Sequence, residues 1–451
     1  MKILILGSSK VAQSLACELV DEGNDVTVVS EDAAVLKNMQ TLMDIRTVKG
    51  RASYPDILRS ARADKMDIMI AVTESDEVNM IACQVAYSLF KVPLKIAKIR
   101  SPHYLIRHEL FGNENLPIDI FLNPEVDVAT SIFNIINNLG VSSLFQFTKQ
   151  RLSLISINVN SNSMLFNMSW QKFQEKIIDL AAKPVAIMRK HKYLQLRSNL
   201  KLQQHDEVFL FVDNAILRQV LQRFELGTKK KVSRVIIAGG GGVGANLAKL
   251  LLQNNCNVKI IEHNKAVCAS LASSMGKATV LEGDAAERDL LFQENVEGVD
   301  VFCALTSDDE DNIISSLQAK YLGAKNVIAL VNNSEYMEIF SRSDVDVFVP
   351  PQQVSISNIL TYIRKQSCTQ AYSLCRGLSE AVCFEVLPDY ARNLLGKDLK
   401  KITFPPGVIC VALQRKDKLF FDLDITVQLH DSLLFFVADK NRYLELETMF
   451  D

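Results

Sequence analysis

Short apolar runs alternate with amphipathic stretches in two long parts of the chain. The runs are rich in β-branched residues, which is typical of strands buried on both faces of a parallel sheet. They span residues 3–6, 26–29, 68–72, 235–238, 257–261, 278–281 and 301–305. The first run of each part is followed by apolar residues at helical spacing: Val11, Leu15, Leu19 and Val20, and then Val243, Leu247, Leu250 and Leu251. Each part therefore predicts a doubly wound sheet covered by helices.

A different pattern follows each predicted sheet. The helices predicted at 124–138 and 351–365 carry more apolar residues than a free surface helix needs, so each could cover a neighbouring domain or a second subunit. Short strands and a final helix come next in both halves. These predicted strands span residues 152–159, 184–189, 206–212, 381–386, 407–414 and 431–437.

The predicted fold class is α/β, with two tandem Rossmann-like doubly wound parallel-sheet domains, each followed by a small α+β lobe. We place the sheet domains at 1–138 and 232–365, and the lobes at 139–226 and 369–451. Residues 227–231, Gly-Thr-Lys-Lys-Lys, are interpreted as a solvated tether, with a phosphate-binding patch as the alternative. A tandem duplication accounts for this order.

Gly239, Gly241 and Gly244 follow the first strand of the second half in G-x-G-x-x-G spacing. In such a loop the first glycine allows a tight turn, the second lets a pyrophosphate approach the backbone, and the third lets the helix pack close to the strand. Glu262 ends the next strand 23 positions after Gly239, near the ~20 expected for a carboxylate that binds ribose hydroxyls. A carboxylate would repel a 2′-phosphate, which favours NAD-type or adenine nucleotides over NADP.

Further candidate contacts lie at the ends of the later strands. Asp284 follows the third strand and could accept a hydrogen bond from an adenine amino group, and Thr306 ends the fourth. The predicted nucleotide contacts of this half are Gly239, Gly240, Gly241, Gly242, Val243, Gly244, Glu262, His263, Gly283, Asp284, Ala285 and Thr306.

The first half carries an altered version of the same fingerprint. Ser9 stands where the second glycine is expected, and Ser30 replaces the acid, with Glu31 one residue later. Lys10 and Arg51 would favour phosphate, whereas the alternative is a domain that keeps its shape with an empty or altered pocket. The candidate contacts here are Gly7, Ser8, Ser9, Lys10, Val11, Ser30, Glu31, Thr73 and Arg100.

The acids that follow Thr73 recur 233 positions later, after Thr306, each time at the start of a predicted helix. Most of them are interpreted as helix-capping residues, while the threonines face the ligand crevice. Arg100 aligns with Asn332 and could bind phosphate in a bidentate manner or form a surface salt bridge.

Composition excludes several classes of protein. The chain has 451 residues with 50 Lys+Arg and 52 Asp+Glu, and this near balance argues against binding nucleic acid by bulk charge. Nine cysteines are scattered without a C-x-x-C pair, and six histidines without an H-x-x-x-H pair, which argues against a disulfide framework or a metal site. No stretch approaches the ~18 apolar residues of a membrane span. We expect a soluble protein that can still sit on a membrane partner.

The chemistry favours a sensor over an enzyme. A dehydrogenase needs a general acid or base beside the nicotinamide, often from a second domain, and neither small lobe offers a His, Lys or Cys constellation of that kind. Two alternatives stay open: an NAD-dependent oxidoreductase, and a scaffold whose nucleotide pockets are vestigial.

Several motifs resemble the TrkA family, the cytosolic regulatory subunits of Trk potassium-uptake systems. The similar stretches are SDEVNMIACQVAYSLF at 75–90, IRSP at 99–102 and PQQ at 351–353, and the resemblance covers essentially the whole chain. The duplicated units of that family are called RCK or KTN domains. Gly239, Gly241, Gly244, Glu262 and Asp284 keep its dinucleotide pattern, whereas Ser9 and Ser30 depart from the usual Gly and Asp.

The resemblance implies NAD(H) and ATP or ADP as ligands. It also implies a dimer or tetramer ring of subunits and docking on a TrkH-type potassium channel at the cytoplasmic face of the inner membrane.

Overall fold

The computed structural model describes residues 1–112, 114–148, 150–190, 192–227, 230–364, 367–389, 391 and 393–450. Within these ranges the chain forms two six-stranded and two five-stranded sheets, in the alternating order that the sequence predicts. Some residues of the predicted segments lie outside the described ranges. They are Thr228 and Lys229 of the predicted tether, Lys365 at the end of a predicted helix, and Asp451.

The first sheet is parallel, with strand order β3-β2-β1-β4-β5-β6. Its central strands are buried apart from the exposed Lys2, because helices cover both faces, which explains the continuous apolar runs in the sequence. Its strands are β1 (Lys2–Leu6), β2 (Asp25–Ser30), β3 (Arg46–Lys49), β4 (Ile68–Ala71), β5 (Leu94–Lys98) and β6 (Ile120–Leu122). Its helices are α1 (Lys10–Asp21), α2 (Ala33–Leu42), α3 (Pro55–Ser60), α4 (Asp76–Val85) and α5 (Pro102–Leu105).

Helix α6 (Pro124–Asn137) follows the first sheet, and the first small lobe comes after it. The lobe is an antiparallel sheet of order β10-β9-β11-β8-β7 with two short helices. Its elements are β7 (Ser143–Phe147), β8 (Leu152–Asn158), α7 (Trp170–Glu175), β9 (Ala182–Arg189), β10 (Lys192–Tyr193), β11 (Glu207–Asp213) and α8 (Leu217–Arg223).

The second parallel sheet repeats the first, with strand order β14-β13-β12-β15-β16-β17. In both sheets the strand order reverses between the first and fourth strands, which opens a crevice at their carboxyl ends. The strands are β12 (Arg234–Ala238), β13 (Asn257–Glu262), β14 (Thr279–Glu282), β15 (Val301–Ala304), β16 (Asn326–Leu330) and β17 (Val347–Val349). The helices are α9 (Gly242–Gln253), α10 (Lys265–Ser274), α11 (Arg288–Gln293), α12 (Asp309–Tyr321) and α13 (Ser334–Ile339).

Helix α14 (Pro351–Ile363) leads to the second lobe, whose antiparallel order is β18-β19-β22-β20-β21. Its elements are β18 (Cys368–Leu374), β19 (Ser379–Glu385), β20 (Val408–Arg415), β21 (Lys418–Phe420), β22 (Ser432–Val437) and α15 (Tyr443–Glu447). The two lobes pack on each other through one apolar cluster, in which the Phe147 and Tyr372 rings meet edge to face and Phe209 lies beside Phe436.

The chain divides into two compact units, and the helix that follows each parallel sheet belongs to a different unit from that sheet. Residues 1–124 and 352–364 form one unit, and residues 125–351 and 365–451 form the other. In the first unit, Ile356, Ile359, Leu360 and Ile363 of α14 belong to the same buried cluster as Ile3 and Ile5 of β1. The apolar stripe of α14 therefore covers a domain that precedes it by more than 200 residues in the chain. The four domain bounds proposed from the sequence stay a prediction.

Candidate nucleotide-binding sites

The glycine loop of the second sheet joins β12 to α9, and three of its glycines meet different constraints. Gly239 has a φ of +102°, and a Cβ there would lie 2.8 Å from the carbonyl oxygen of Leu305. A Cβ on Gly244 would lie 2.0 Å from the carbonyl oxygen of Gly239, so α9 packs directly against the turn. A Cβ on Gly241 would meet nothing within 4 Å. The loop is therefore tightly packed at its first and third glycines and open at its second, as phosphate approach requires.

Glu262 lies at the end of β13 and is bonded to this loop. Its Oε2 accepts a hydrogen bond from the Gly240 amide at 2.7 Å, and its Oε1 accepts one from the Asn264 amide at 2.8 Å. The residue is only 7 % exposed. Each carboxylate oxygen has a second lone pair, so the group can still accept from ribose hydroxyls while its orientation is fixed. The neighbouring His263 is largely exposed, with Nδ1 at 3.2 Å from Glu262 Oε1.

The ends of β14 and β15 add an acidic rim. Gly283 donates its amide to the Glu262 carbonyl at 3.1 Å, and Ala285 beyond it is buried. Asp284 is exposed and accepts a hydrogen bond from the Ala286 amide. Burial and then the nearby charges of Asp308, Asp284 and Glu310 raise the pKa of Asp311, while His263 lowers it. This concentration of negative charge would repel an additional phosphate on any ribose bound here.

Thr306 is part of a latch between two strand ends. Its amide and hydroxyl both donate to Asn312 Oδ1 at 2.8 Å, and Asn312 Nδ2 donates to the Leu330 carbonyl at 2.8 Å. The same arrangement links Thr73 to Asn79 in the first domain, where Asn79 donates to the Lys98 carbonyl at 2.9 Å. The latch holds the crevice side of the fourth and fifth strands together, and the threonine hydroxyl is committed to it.

In the first domain, the turn after β1 keeps the tight glycine at its start but has a serine where the second domain has Gly241. Gly7 has a φ of +120°, and a Cβ there would lie 2.9 Å from the Val72 carbonyl oxygen. Ser9 is the N-cap of α1, and its hydroxyl accepts a hydrogen bond from the Ala12 amide at 3.4 Å. A side-chain oxygen thus satisfies an amide at the helix start that a phosphate would otherwise meet. Lys10 and Val11 form the first turn of the helix, and Lys10 is exposed.

Ser30 replaces the acid at the end of β2, and its hydrogen bonds mirror those of Glu262. Its hydroxyl donates to the Ser8 hydroxyl at 2.7 Å and accepts from the Asp32 amide at 3.2 Å. Glu31, the nearest carboxylate in sequence, is exposed. The first domain therefore keeps the cross-link between loop and strand but has a hydroxyl where the second domain has the Glu262 carboxylate.

Cations replace neutral residues at the strand ends of the first domain. Lys98 Nζ lies 3.3 Å from Glu74 Oε1, and Arg100 Nη1 lies 3.5 Å from Glu74 Oε2. Burial lowers the pKa of Lys98, and the charge of Glu74 partly restores it. The equivalent residues of the second domain, Leu330 and Asn332, are uncharged. Arg51, also predicted to favour phosphate, is exposed with its guanidinium 5.5 Å from the centre of the Tyr54 ring.

Two pairs of polar residues had structural roles that the sequence did not reveal. Asp76 accepts hydrogen bonds from the amides of Arg100 and Ser101, and Asp309 accepts them from the amides of Asn332 and Asn333. The predicted capping role is confirmed for Asp308, whose side chain accepts from the Asp311 amide, whereas Ser75 caps the corresponding helix of the first domain. The asparagines of the latch, Asn79 and Asn312, were also missed, although they recur at matched positions in the two halves.

Membrane-spanning helices and metal-ligand clusters are both absent from the described part of the chain. No helix there is both long and apolar enough to cross a membrane. No group of three or more His, Cys, Asp or Glu residues is placed to hold a metal ion there, and all nine cysteines are free thiols.

The chain matches the TrkA-N domain family twice, over residues 3–124 and 235–351. A relative from Halomonas elongata, the Trk system potassium uptake protein TrkA, is 37 % identical over 452 residues, which cover 100 % of this chain and 98 % of the relative. The two matched segments coincide with the two parallel sheets and their glycine turns.

Solved structures with the same fold cover nearly the whole chain. The GsuK RCK domain aligns with a TM-score of 0.63 and 16 % identity, covering 99 % of this chain and 94 % of its own. The GsuK channel bound to NAD aligns with a TM-score of 0.62 and 15 % identity, covering 99 % of this chain and 78 % of its own. At these identities the likeness concerns the fold, and it covers both halves.

Proposed function

The chain belongs to the TrkA family, and from this premise we propose that it is the nucleotide-binding regulatory subunit of a Trk-type potassium-uptake system. In this role it controls K⁺ flux through a TrkH-type membrane channel subunit in response to NAD(H) and to ATP or ADP. The subunits assemble as a dimer or tetramer ring at the cytoplasmic face of the inner membrane, held there by the channel. The chain acts as a gate and catalyses no reaction.

One observation carries the nucleotide assignment: Glu262 is bonded to the Gly240 amide beside an open Gly241. A buried carboxylate fixed by two backbone amides is preorganised to accept ribose hydroxyls, and the α9 amides beyond Gly241 suit a pyrophosphate. Glu262 and the acidic rim around Asp284 and Asp311 disfavour a 2′-phosphate. The second domain therefore binds NAD(H) in preference to NADP(H).

The first domain is proposed to bind a nucleotide that needs no ribose carboxylate, such as ATP or ADP. Ser30 offers only a hydroxyl at the ribose position. Lys10, Lys98 and Arg100 supply positive charge around its turn and strand ends, which suits a chain of phosphates. Arg100 would exchange its contact with Glu74 for a phosphate oxygen.

Regulation requires a nucleotide to bind two arrangements of the protein with different affinity, because a ligand that binds both equally shifts nothing. A coupling of about 1–3 kcal/mol gives a 5–150-fold change in affinity or gating equilibrium. The crevice residues lie at strand ends that are tied together by the Thr–Asn latches. A ligand that rearranges these ends changes how the covering helices pack, and this change is passed to the channel.

The test is thermal unfolding of the purified protein with NADH, NAD, ATP, ADP and NADPH, repeated on Glu262→Ala. A ligand that binds only the folded state raises the free energy of unfolding by about 2.7 kcal/mol when its concentration is a hundredfold above Kd. We expect a shift with NADH that is lost in Glu262→Ala and a shift with ATP or ADP that survives. Potassium flux into liposomes that hold the channel subunit, with each protein added, then tests control of the channel.

The outcomes separate the proposal from its rivals. Absence of any nucleotide-dependent shift would favour a scaffold with vestigial pockets. A steady loss of NADH absorbance with a small substrate would favour an oxidoreductase. Loss of NADH binding in Glu262→Ala with unchanged channel regulation would mean that the second domain is not the sensor.

A further inference from the structure

A narrow cleft, here called the tether cleft, lies where the first small lobe joins the second parallel sheet. It is bordered by the end of α6, by α8 and by residues on either side of the predicted tether. Lys231 and Val232 in its wall precede β12, so the cleft lies at the opposite end of this strand from the glycine loop. Its volume is about 70 Å³, several times the roughly 10–15 Å³ that one water molecule needs. The tether cleft therefore has room for a compact polyatomic group, and none of its lining residues is a candidate contact of either nucleotide crevice.

Two glycines hold the walls of the tether cleft together. Gly140 has a φ of +103°, and a Cβ there would lie 2.6 Å from the Gly227 amide nitrogen. Gly227 has a φ of +73°, and a Cβ there would lie 2.1 Å from the Leu139 carbonyl oxygen. The chain that leaves α6 is thus in backbone contact with the chain that leaves α8. Because side chains at 140 and 227 would force these segments apart, the cleft beside them is a defined feature of the fold.

The charged residues that line the tether cleft are all basic. They are Arg218 of α8, Lys230 and Lys231, and no carboxylate lines the cleft in the part of the chain that the structure describes. Lys231 Nζ donates to the Asn254 carbonyl at 3.0 Å, at the end of α9. Arg218 is exposed and forms no hydrogen bond or ion pair with any described residue. Both lysines belong to the segment whose alternative interpretation in the sequence was a phosphate-binding patch.

The ends of two helices offset only part of this positive charge. A helix C-terminus carries roughly half an elementary negative charge. The end of α6 lies at the cleft, and the end of α9 accepts from Lys231. Together they balance about one positive charge, so Arg218 and Lys231 alone leave the cleft positive. A small cleft with an excess positive potential favours an anion.

We propose that the tether cleft binds a phosphate group, with Arg218 and Lys231 as its main ligands and Lys230 at its rim. The planar guanidinium of Arg218 can donate two parallel hydrogen bonds to phosphate oxygens, and the Lys231 ammonium adds a compact charge. The phosphate competes with the Asn254 carbonyl for Lys231, so it acts on the segment that connects the first lobe to the second domain.

The phosphate belongs either to a soluble compound or to a phospholipid headgroup, because both present the same oxygens to the cleft. Binding there does not require a nucleotide in either crevice, so the site stands apart from the proposed function.

The test is calorimetric titration of pyrophosphate into the full-length protein and into the double variant Arg218→Gln/Lys231→Gln. Glutamine keeps part of the length of each side chain and removes its charge. We expect the double variant to bind pyrophosphate with an affinity roughly tenfold lower or weaker still, because two charge-assisted contacts are lost. The affinity of the unmodified protein should fall as NaCl is raised from about 50 mM to about 500 mM, because salt screens the attraction.

Two control variants separate this site from the general effect of charge. Arg223 lies on the same helix as Arg218 but pairs with Asp179 and does not line the cleft. Arg223→Gln should therefore leave the pyrophosphate affinity unchanged. Arg218→Lys/Lys231→Arg keeps both charges and should bind pyrophosphate more tightly than the double glutamine variant. Thermal melting identifies any variant that fails to fold.

Flotation with vesicles distinguishes the two sources of phosphate. The vesicles contain phosphatidylcholine, with or without phosphatidylglycerol. Binding to the phosphatidylglycerol vesicles that is lost in Arg218→Gln/Lys231→Gln would support the site and identify a lipid headgroup. Pyrophosphate binding that is lost in that variant, without vesicle binding by the unmodified protein, would support the site and identify a soluble phosphate compound.

Three results would overturn the phosphate site and leave the proposed function intact. The first is that the unmodified protein binds neither pyrophosphate nor the phosphatidylglycerol vesicles. The second is that the folded double glutamine variant binds both as the unmodified protein does. The third is that Arg223→Gln weakens binding as much as the double variant, which would assign the effect to overall charge.

Discussion

The Glu262 carboxylate accepts a hydrogen bond of 2.7 Å from the amide of Gly240, across the turn between β12 and α9. This bond fixes a buried acid against the glycine loop, so under the proposed function the carboxylate needs little reorganisation to accept ribose hydroxyls. In the first domain the equivalent residues, Ser30 and Ser8, are joined hydroxyl to hydroxyl at the same 2.7 Å. In both domains a side chain at the end of the second strand is hydrogen-bonded to the glycine turn. That side chain is a carboxylate in the second domain and a hydroxyl in the first, which supports different nucleotides for the two crevices.

Gly241→Ala should separate binding from stability. A Cβ on Gly241 meets no atom within 4 Å, and its φ of −63° is comfortable for alanine. We expect the free energy of unfolding to change by less than about 0.5 kcal/mol and NADH affinity to fall roughly tenfold or more, since the methyl group stands where a phosphate approaches. Thermal melting with and without NADH measures both.

Gly244→Ala is the matched control for that experiment. Its Cβ would lie 2.0 Å from the Gly239 carbonyl oxygen, so it should destabilise the second domain by about 1–3 kcal/mol. The interpretation of the loop fails if Gly241→Ala is as destabilised as Gly244→Ala, or if it binds NADH normally.

Arg100→Ala should weaken ATP binding without affecting NADH binding. The Arg100 guanidinium is partly exposed and contacts Glu74, and such surface pairs contribute at most about 1 kcal/mol to stability. Loss of a charge-assisted bond to phosphate should lower ATP affinity roughly tenfold. ATP titration by calorimetry measures this effect.

A second arginine in the same unit controls for the loss of positive charge. Arg107 forms an exposed pair with Glu109 at 3.7 Å, so Arg107→Ala should leave ATP affinity unchanged. Equal effects of the two substitutions would assign the loss to overall charge and remove Arg100 from the site.

Ile359→Ala tests the packing of α14 on the first sheet. Ile359 is fully buried in the cluster that contains Ile3 and Ile5, so removing its side chain should cost the first unit about 2–5 kcal/mol. Hydrogen exchange of the β1 amides should accelerate accordingly. Tyr362 lies on the same helix and is half exposed, and Tyr362→Ala should change exchange little. Unchanged exchange in Ile359→Ala would mean that α14 does not stabilise the first sheet.

The sequence predicted the duplicated fold well because its strands are buried on both faces. Such strands give continuous apolar runs, and the glycine spacing, the acid at residue 262 and the crossover helices follow them in a fixed order. The prediction that NADP is disfavoured rests on Glu262, and the altered first fingerprint rests on Ser9 and Ser30. All three are read directly from the chain.

The features that the sequence did not predict depend on contacts between distant residues, which hydrophobic periodicity does not encode. Strands β6 and β17 have three residues each, too few to establish an alternation. The apolar stripe of α14 indicated that it is covered but could not indicate by which surface, because its neighbour Ile3 is more than 350 positions away. The sequence analysis also missed that Glu125 lies beside Gly242, where a Cβ would stand 1.9 Å from Glu125 Oε2, because only the fold brings these two residues together.

The second domain should lose stability in acid through Asp300. Burial alone would raise the pKa of Asp300, but the hydrogen bonds from Lys325 and from the amides of Ser233 and Arg234 outweigh it and hold the pKa well below its usual range. A carboxyl whose pKa is lowered by folding stabilises the folded state above its unfolded pKa of about 4 and loses that contribution as the pH falls below it. Asp300→Asn should therefore lower the free energy of unfolding by about 1–2 kcal/mol at pH 7 and flatten the decline in stability between about pH 5 and pH 2.

Urea unfolding at several pH values measures this effect. Asp289 is an exposed acid of α11, and the control Asp289→Asn should change the free energy of unfolding by less than about 0.5 kcal/mol. If Asp300→Asn and the unmodified protein show parallel pH profiles, Asp300 does not carry the acid sensitivity of this domain.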